Sequence, residues 1–155
     1  MQIKTLPNKM DVIIDSRPSN SVCIEVNAKT GSINEPSNLA GVSHFLEHML
    51  FTGTKKRKDA IAISKEIDRV GGQFNAYTTQ ERTAFYVVVP KTHFSLGLEL
   101  LSDMMQYTTF NESFEKERQV ILKEISFHND NPRTYQWIIF YKTLFNSHPA
   151  RFPIY

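Results

Sequence analysis

A single cysteine, Cys23, stands in a chain of 155 residues. One thiol excludes an internal disulfide framework and a zinc cage built from cysteines. An excess of one charge is also missing, with 18 Lys and Arg against 16 Asp and Glu and a net charge of +2. Nucleic acid and anionic membranes, which call for a basic surplus, are therefore not expected partners. No stretch approaches the roughly 18 uninterrupted apolar residues of a membrane span. The start, Met1-Gln2-Ile3-Lys4-Thr5-Leu6-Pro7, has neither the apolar run of a secretory signal nor the Arg/Ser-rich character of a transit peptide. With Met1 as the natural start, the expected compartment is the cytoplasm. Internal repeats and low-complexity tracts are absent as well.

What remains is ordinary globular material. Hydrophobic residues make up 41% and charged residues 22%, and 12% aromatics spread along the chain argue against disorder. That length is enough for one domain burying about 68–70% of its unfolded surface. Two β-rich runs, 11–15 and 21–26, are bounded by Pro18-Ser19-Asn20 and Thr30-Gly31-Ser32 and read as strands joined by turns. Helical spacing of Val42, Phe45, Leu46, Met49 and Leu50 predicts a helix over 39–51, stopped by Gly53. Its apolar composition makes it look buried.

A second helix is predicted over 59–70, with Ile63, Ile67 and Val70 on one stripe and Gly71-Gly72 as its stop. Residues 73–79 and 82–89 form an antiparallel hairpin around Gln80-Glu81, ended by Pro90. Three helices complete the chain. The first covers 92–107, with Phe94, Leu98, Leu101 and Met105 as its stripe. The next runs from a cap at Asn111 to about 129 through Phe114, Ile121 and Ile125. The last starts at Asn131-Pro132 and passes through Trp137, Ile138, Tyr141 and Phe145. The fold class is α+β, an antiparallel sheet with helices packed on it. The proline-punctuated segment from His148 to Tyr155 has no closing element, so 1–155 reads as one domain truncated at its C-terminal end.

The sharpest chemical feature is His44-Phe45-Leu46-Glu47-His48, in the middle of the first helix. Spacing of i,i+4 puts both imidazoles on one face, one turn apart. Two nitrogens so placed suit one Zn²⁺ at about 2.0–2.1 Å. Glu47 sits beside them, able to take a proton from an activated water without itself binding the ion. The order HxxEH inverts the commoner zinc-protease motif. With five histidines and ten glutamates, chance would produce it in about one shuffled chain in a hundred. Three polar groups in a buried helix would be costly unless bound to metal or hydrogen-bonded.

A tetrahedral catalytic zinc needs a third protein ligand and an open position. His93, His128 and His148 form no second pair. Better candidates lie on the helix carrying Glu115, Glu117 and Glu124. Glu117 and Glu124 are two turns apart and share a face with Ile121, which suggests that this face points inward. Spacing does not choose among the three, and each could be a surface glutamate paired with Lys116, Arg118 or Lys123.

Taken together, these segments closely resemble the pitrilysin-type inverzincin metallopeptidases, the family of insulin-degrading enzyme and mitochondrial processing peptidase. The match includes Gly31-Ser32 and Glu35, the run from Gly41 to Thr54, the run from Gly71 to Thr78, Thr83 and Tyr86, and the segment from Glu117 to Ile125. The resemblance implies that His44, His48 and Glu124 bind one zinc per chain and that Glu47 is the general base. It implies that Glu117 orients His48 or the zinc shell. It implies that Phe45, Asn75 and Ala76 contact substrate, the last two on an edge strand that pairs with an extended peptide.

Family members have two related halves enclosing a chamber, so the resemblance also implies a C-terminal half or partner subunit. The expected function is a zinc metalloendopeptidase acting on peptides or unfolded segments. The alternative is a non-catalytic peptide-binding or assembly fragment that depends on the missing part. A structural zinc site fits less well, because the family site keeps one position open.

Overall fold

The computed structural model describes residues 1–110 and 113–155. It is an α+β fold in which a three-stranded antiparallel sheet carries helices on one face. The strands are β3 (Ser21–Ala28), β4 (Gln73–Thr78) and β5 (Thr83–Pro90), in the order β3-β5-β4. Central β5 is the most apolar strand because it is the most covered. Phe85, Val87 and Val89 point into the core and are almost wholly buried, each worth about 1.5–3 kcal/mol. On β3, Val22, Ile24 and Val26 face the same way, while Cys23, Glu25 and Asn27 stand exposed on the other face.

The hairpin forms as the sequence predicts. Thr79 N–H donates to the carbonyl of Arg82 at 2.8 Å, leaving Gln80-Glu81 as the two-residue loop. Both N-terminal runs are strands as expected, and an additional strand precedes them. Residues of β1 (Gln2–Thr5), not anticipated as a strand, pair with β2 (Asp11–Ile14) in a separate two-stranded sheet. The 11–15 and 21–26 runs are therefore strands of different sheets. Exposed Ile3, Ile13 and Ile14 show that no core draws β1 and β2 into the main sheet.

Helix α1 (Val42–Leu50) is shorter than predicted, because two short 3₁₀ turns occupy Ser32–Asn34 and Ser37–Leu39. It is also not buried all round. Met49 and Leu50 are in the core, but Val42 is 42% and Leu46 47% exposed. Helix α2 (Ala60–Asp68) buries Ile63 and Ile67 completely, and Asp59 caps it by accepting from Ala62 N–H.

Helix α3 (Phe94–Tyr107) lies on β5 with a face that shares Leu101 with the predicted stripe but is turned away from its other three residues. Its buried residues are Gly97, Leu100, Leu101, Asp103 and Met104, whereas Phe94, Leu98 and Met105 are exposed. Gly97 accounts for the rotation. A Cβ there would lie 3.0 Å from Val87 Cγ1 and 3.2 Å from Val89 Cγ2, so the helix approaches the sheet through its one position without a side chain.

An ionic knot around the buried Arg57 joins α2, α3 and the loop between α1 and α2. The Arg57 side chain, 2% exposed, lies 2.6 Å from carboxylate oxygens of Glu66, Glu99 and Asp103. Thr54 Oγ1 donates to the same Asp103 oxygen. Burial opposes the Arg57 charge, but its hydrogen bonds to Glu99, Glu66 and Asp103 outweigh that and raise its pKa. Nothing in the local pattern announced this knot.

Helix α4 (Ser113–Asp130) crosses α1, and α5 (Pro132–Leu144) folds back on α4. The predicted cap at Asn111 lies outside the described residues. Asn131 caps α5 as expected, accepting from Arg133 N–H, with Pro132 in the first turn. Among the described residues, no helix is long and apolar enough to cross a membrane.

Candidate metal centre

Glu35 anchors the start of α1. Its Oε2 accepts from Gly41 N–H at 2.7 Å and its Oε1 from Ser43 N–H at 2.8 Å. The carboxylate thus takes two otherwise free amides and sits at the positive end of the helix. Gly41 enters the helix with φ of +87°, a conformation that side chains resist. The loop before it is tied to the hairpin, since Ser32 N–H donates to Thr79 O and Ile33 N–H to Gln80 O. These contacts fix the helix axis relative to the sheet.

On that helix His44 and His48 stand edge to face one turn apart, ring centroids 4.7 Å and planes at 75°. Across the crossing, α4 presents Glu124 and Glu117 on either side of buried Ile121. Glu124 Oε2 lies 3.4 Å from His48 Nε2, and Glu124 Oε1 lies 3.7 Å from His44 Nε2. These separations are long for hydrogen bonds. They are close to the spacing of about 3.3–3.4 Å between ligand atoms on a tetrahedral zinc. Ligand atoms of His44, His48 and Glu124 all fall within 4.8 Å of one another.

The electrostatics suit a cation. Burial lowers the His44 pKa, only partly offset by Glu124, and so favours the neutral ring with a free lone pair. His44 Nδ1 is buried with no hydrogen-bond partner among the described residues. His48 turns Nε2 toward Glu124 and Nδ1 toward Glu117, whose Oε2 is 3.5 Å away. A carboxylate on the remote nitrogen of a ligating imidazole fixes its tautomer. The donor set, two imidazoles and a carboxylate, suits zinc.

Glu47 stands beside this group. Its Oε2 accepts a short hydrogen bond from Thr78 Oγ1 at the end of β4. Its carboxylate is thus attached to the sheet. Glu115 is elsewhere: exposed, it pairs with Arg118 and Gln119, whose hydrogen bonds, Arg118 first, hold its carboxyl down to about 2.

Of the residues expected to meet substrate, Asn75 and Ala76 lie on β4, whose outer edge pairs with no strand among the described residues. Asn75 is exposed, and its Oδ1 accepts from Ala76 N–H at 2.9 Å. Phe45 is in the seam between helices, its ring 4.8 Å from that of Phe114.

Two residues not anticipated at the site are His128 and Tyr155. His128 Nε2 is 3.5 Å from Glu124 Oε1, and its ring is stacked on Tyr155 at 4.7 Å and 13°. His128 is one helical turn from Glu124, a spacing visible in the sequence once Glu124 is considered. Tyr155 has no such signal, because only the return of the chain past α4 brings it in. Both rings also line an apolar pocket of about 210 Å³ with Trp137 and Tyr141.

Comparison with known proteins places relatives beside this fold. Residues 11–154 match the family described as Insulinase (Peptidase family M16). A protein named uncharacterized zinc protease YmxG from Bacillus subtilis (strain 168) is 37% identical over 152 residues, covering 97% of this chain and 37% of its own length. A protein named uncharacterized zinc protease from Rickettsia bellii (strain RML369-C) is 40% identical over 154 residues, with coverages of 98% and 37%. The crystal structure of a protease from Helicobacter pylori superposes with a TM-score of 0.91 at 28% identity, over 97% of this chain and 37% of that one. The chain thus spans a little over a third of the length of these relatives.

Proposed function

The chain belongs to the insulinase family, peptidase family M16, and from that premise we propose that it is the zinc-binding part of a metalloendopeptidase acting on extended peptides. One observation carries the reading. Two imidazoles on α1 and a carboxylate on α4 converge with their ligand atoms within 4.8 Å of one another, with Glu47 tethered alongside. His44, His48 and Glu124 would hold one zinc, and Glu117 would keep His48 in the ligating tautomer. When bound, the ion supplies Lewis acidity, easing deprotonation of a water and polarising a peptide carbonyl.

The protein's own groups do the rest. Glu47 takes the proton of the attacking water and returns it to the leaving amine, and Thr78 holds the carboxylate in place for both transfers. The free edge of β4 takes the substrate backbone as an added strand, for which Asn75 must release the Ala76 amide. Extended or unfolded peptides satisfy that demand, whereas a folded surface does not. Phe45, in the α1–α4 seam, would border the bound peptide. Because the relatives are far longer, a C-terminal half or partner subunit would supply the remaining substrate contacts.

The test uses the full-length protein with Glu47→Gln and Glu124→Gln. Elemental analysis after dialysis should find about one zinc per wild-type chain, retained in Glu47→Gln and lost in Glu124→Gln. Peptide cleavage by Glu47→Gln should fall by at least about 10²–10⁴-fold. Zinc lost from Glu47→Gln would make Glu47 a ligand and overturn its assignment as base. Zinc retained in Glu124→Gln would overturn the ligand set.

A further inference from the structure

We propose that His128 is a positioning residue for Glu124, its Nε2 facing Oε1 at 3.5 Å, longer than a settled hydrogen bond, and closing on it to orient the carboxylate that takes the metal. The inference rests on the metallopeptidase reading above. Glu124 lies among three imidazoles, with the Nε2 atoms of His48, His128 and His44 at 3.4, 3.5 and 3.7 Å from its oxygens. Among the described residues, no lysine or arginine pairs with it. An ionised carboxylate only accepts hydrogen bonds, so it needs donors, and its last torsion is otherwise loosely determined.

The hydrogen on His128 follows from its surroundings. Nδ1 is buried with no hydrogen-bond partner among the described residues. His44 Nδ1 is orphaned in the same way, but there the metal would take the Nε2 lone pair; at His128, outside that group, only a hydrogen on Nε2 keeps a lone pair from facing the carboxylate. With the hydrogen on Nε2, the donor faces Oε1. The ring cannot easily swing away, because it lies flat against Tyr155, which in turn stands edge-on to His44 at 6.2 Å. Position also separates His128 from the ligands. The group whose ligand atoms lie within 4.8 Å of one another comprises His44, His48 and Glu124, without it.

The experiment measures zinc affinity of the full-length protein by chelator competition, with the cobalt-substituted absorption spectrum as a second readout. His128→Phe keeps a flat ring against Tyr155 but has no N–H. His128→Gln loses the ring and keeps a donor at similar reach. We expect His128→Phe to bind zinc about 10–100-fold more weakly, with shifted cobalt bands. His128→Gln should recover most of that loss. Circular dichroism and urea midpoints identify a variant that fails to fold, and the other variant then decides. His128→Phe alone supports the proposal by weakened binding and overturns it by wild-type affinity. If only His128→Gln folds, a loss of the full size overturns the proposal, and near-wild-type affinity supports it only together with weakened binding by His128→Leu, which likewise lacks an N–H.

If His128→Phe binds as tightly as wild type with unchanged bands, or if His128→Gln is as weak as His128→Phe, the N–H does not position Glu124. X-ray absorption of the zinc protein should give two imidazoles; three would make His128 a ligand and also overturn the proposal. A wild-type protein that binds no zinc overturns the metallopeptidase reading, and this inference falls with it. Wild-type binding with an indifferent His128→Phe overturns this inference alone.

Discussion

Single side chains do the exacting work in this protein, and Glu35 illustrates how far from the chemistry they can act. Its two oxygens take the Gly41 and Ser43 amides at the entrance to the helix that carries both histidines. Hydrogen bonds to a charged group contribute about 1.5–3 kcal/mol each. Glu35→Ala is accordingly expected to lower stability by about 2–4 kcal/mol, part of the two-bond total being regained as water reaches the freed amides. Urea denaturation would measure it. An unchanged midpoint would mean that α1 starts equally well without the cap.

Between elements, the Arg57 knot holds α2, α3 and the loop after α1 in register. Glu99 gives it a pH signature. Its hydrogen bond from Arg57, outweighing burial, holds its carboxyl below the ordinary value of 4.5. As pH falls, the unfolded chain therefore takes up this proton before the folded one does. The contribution is complete above the unfolded value and disappears as pH falls through the folded value. Glu99→Gln should thus be less stable than wild type at neutral pH. It should also lose less further stability between about pH 5 and pH 3. Thermal midpoints across that range would check it, and parallel curves would mean that the pair has no net effect. Glu99 is 43% exposed, so the difference will shrink as salt is added.

For the molecule as a whole, the candidate metal centre is a cross-link. His44 and His48 belong to the helix seated on the sheet, whereas Glu124 belongs to the helical layer formed by α4 and α5. A ligand held by both layers in the folded state and by neither in the unfolded chain stabilises the fold by mass action. At free zinc about 100 times its Kd, the gain is about 2.7 kcal/mol, enough to raise the melting midpoint by a few degrees. Differential scanning calorimetry of the full-length protein should record that rise in wild type and not in Glu124→Gln. A zinc-independent midpoint in wild type would argue that the two layers are not joined by metal.

What the sequence determined by itself is whatever local geometry controls. The i,i+4 spacing brings His44 and His48 together on any helix, whatever it packs on. The Gln80-Glu81 hairpin, the stripe of Ile63 and Ile67, and the Asn131-Pro132 start of α5 are local in the same sense, and all appear in the structure. Tertiary packing decided the rest. Glu115, Glu117 and Glu124 are equivalent as spacing, and only the crossing of α4 over α1 turns Glu124 to both histidines, Glu117 to one, and leaves Glu115 exposed. Helix α3 buries the predicted Leu101, and the close approach at Gly97 turned the rest of its contact toward Leu100 and Met104 instead of Leu98 and Met105. Tyr155 joins His128 only because the chain returns past α4. Helical period and turn chemistry act over a few residues, whereas the face that is buried depends on partners far away in the chain.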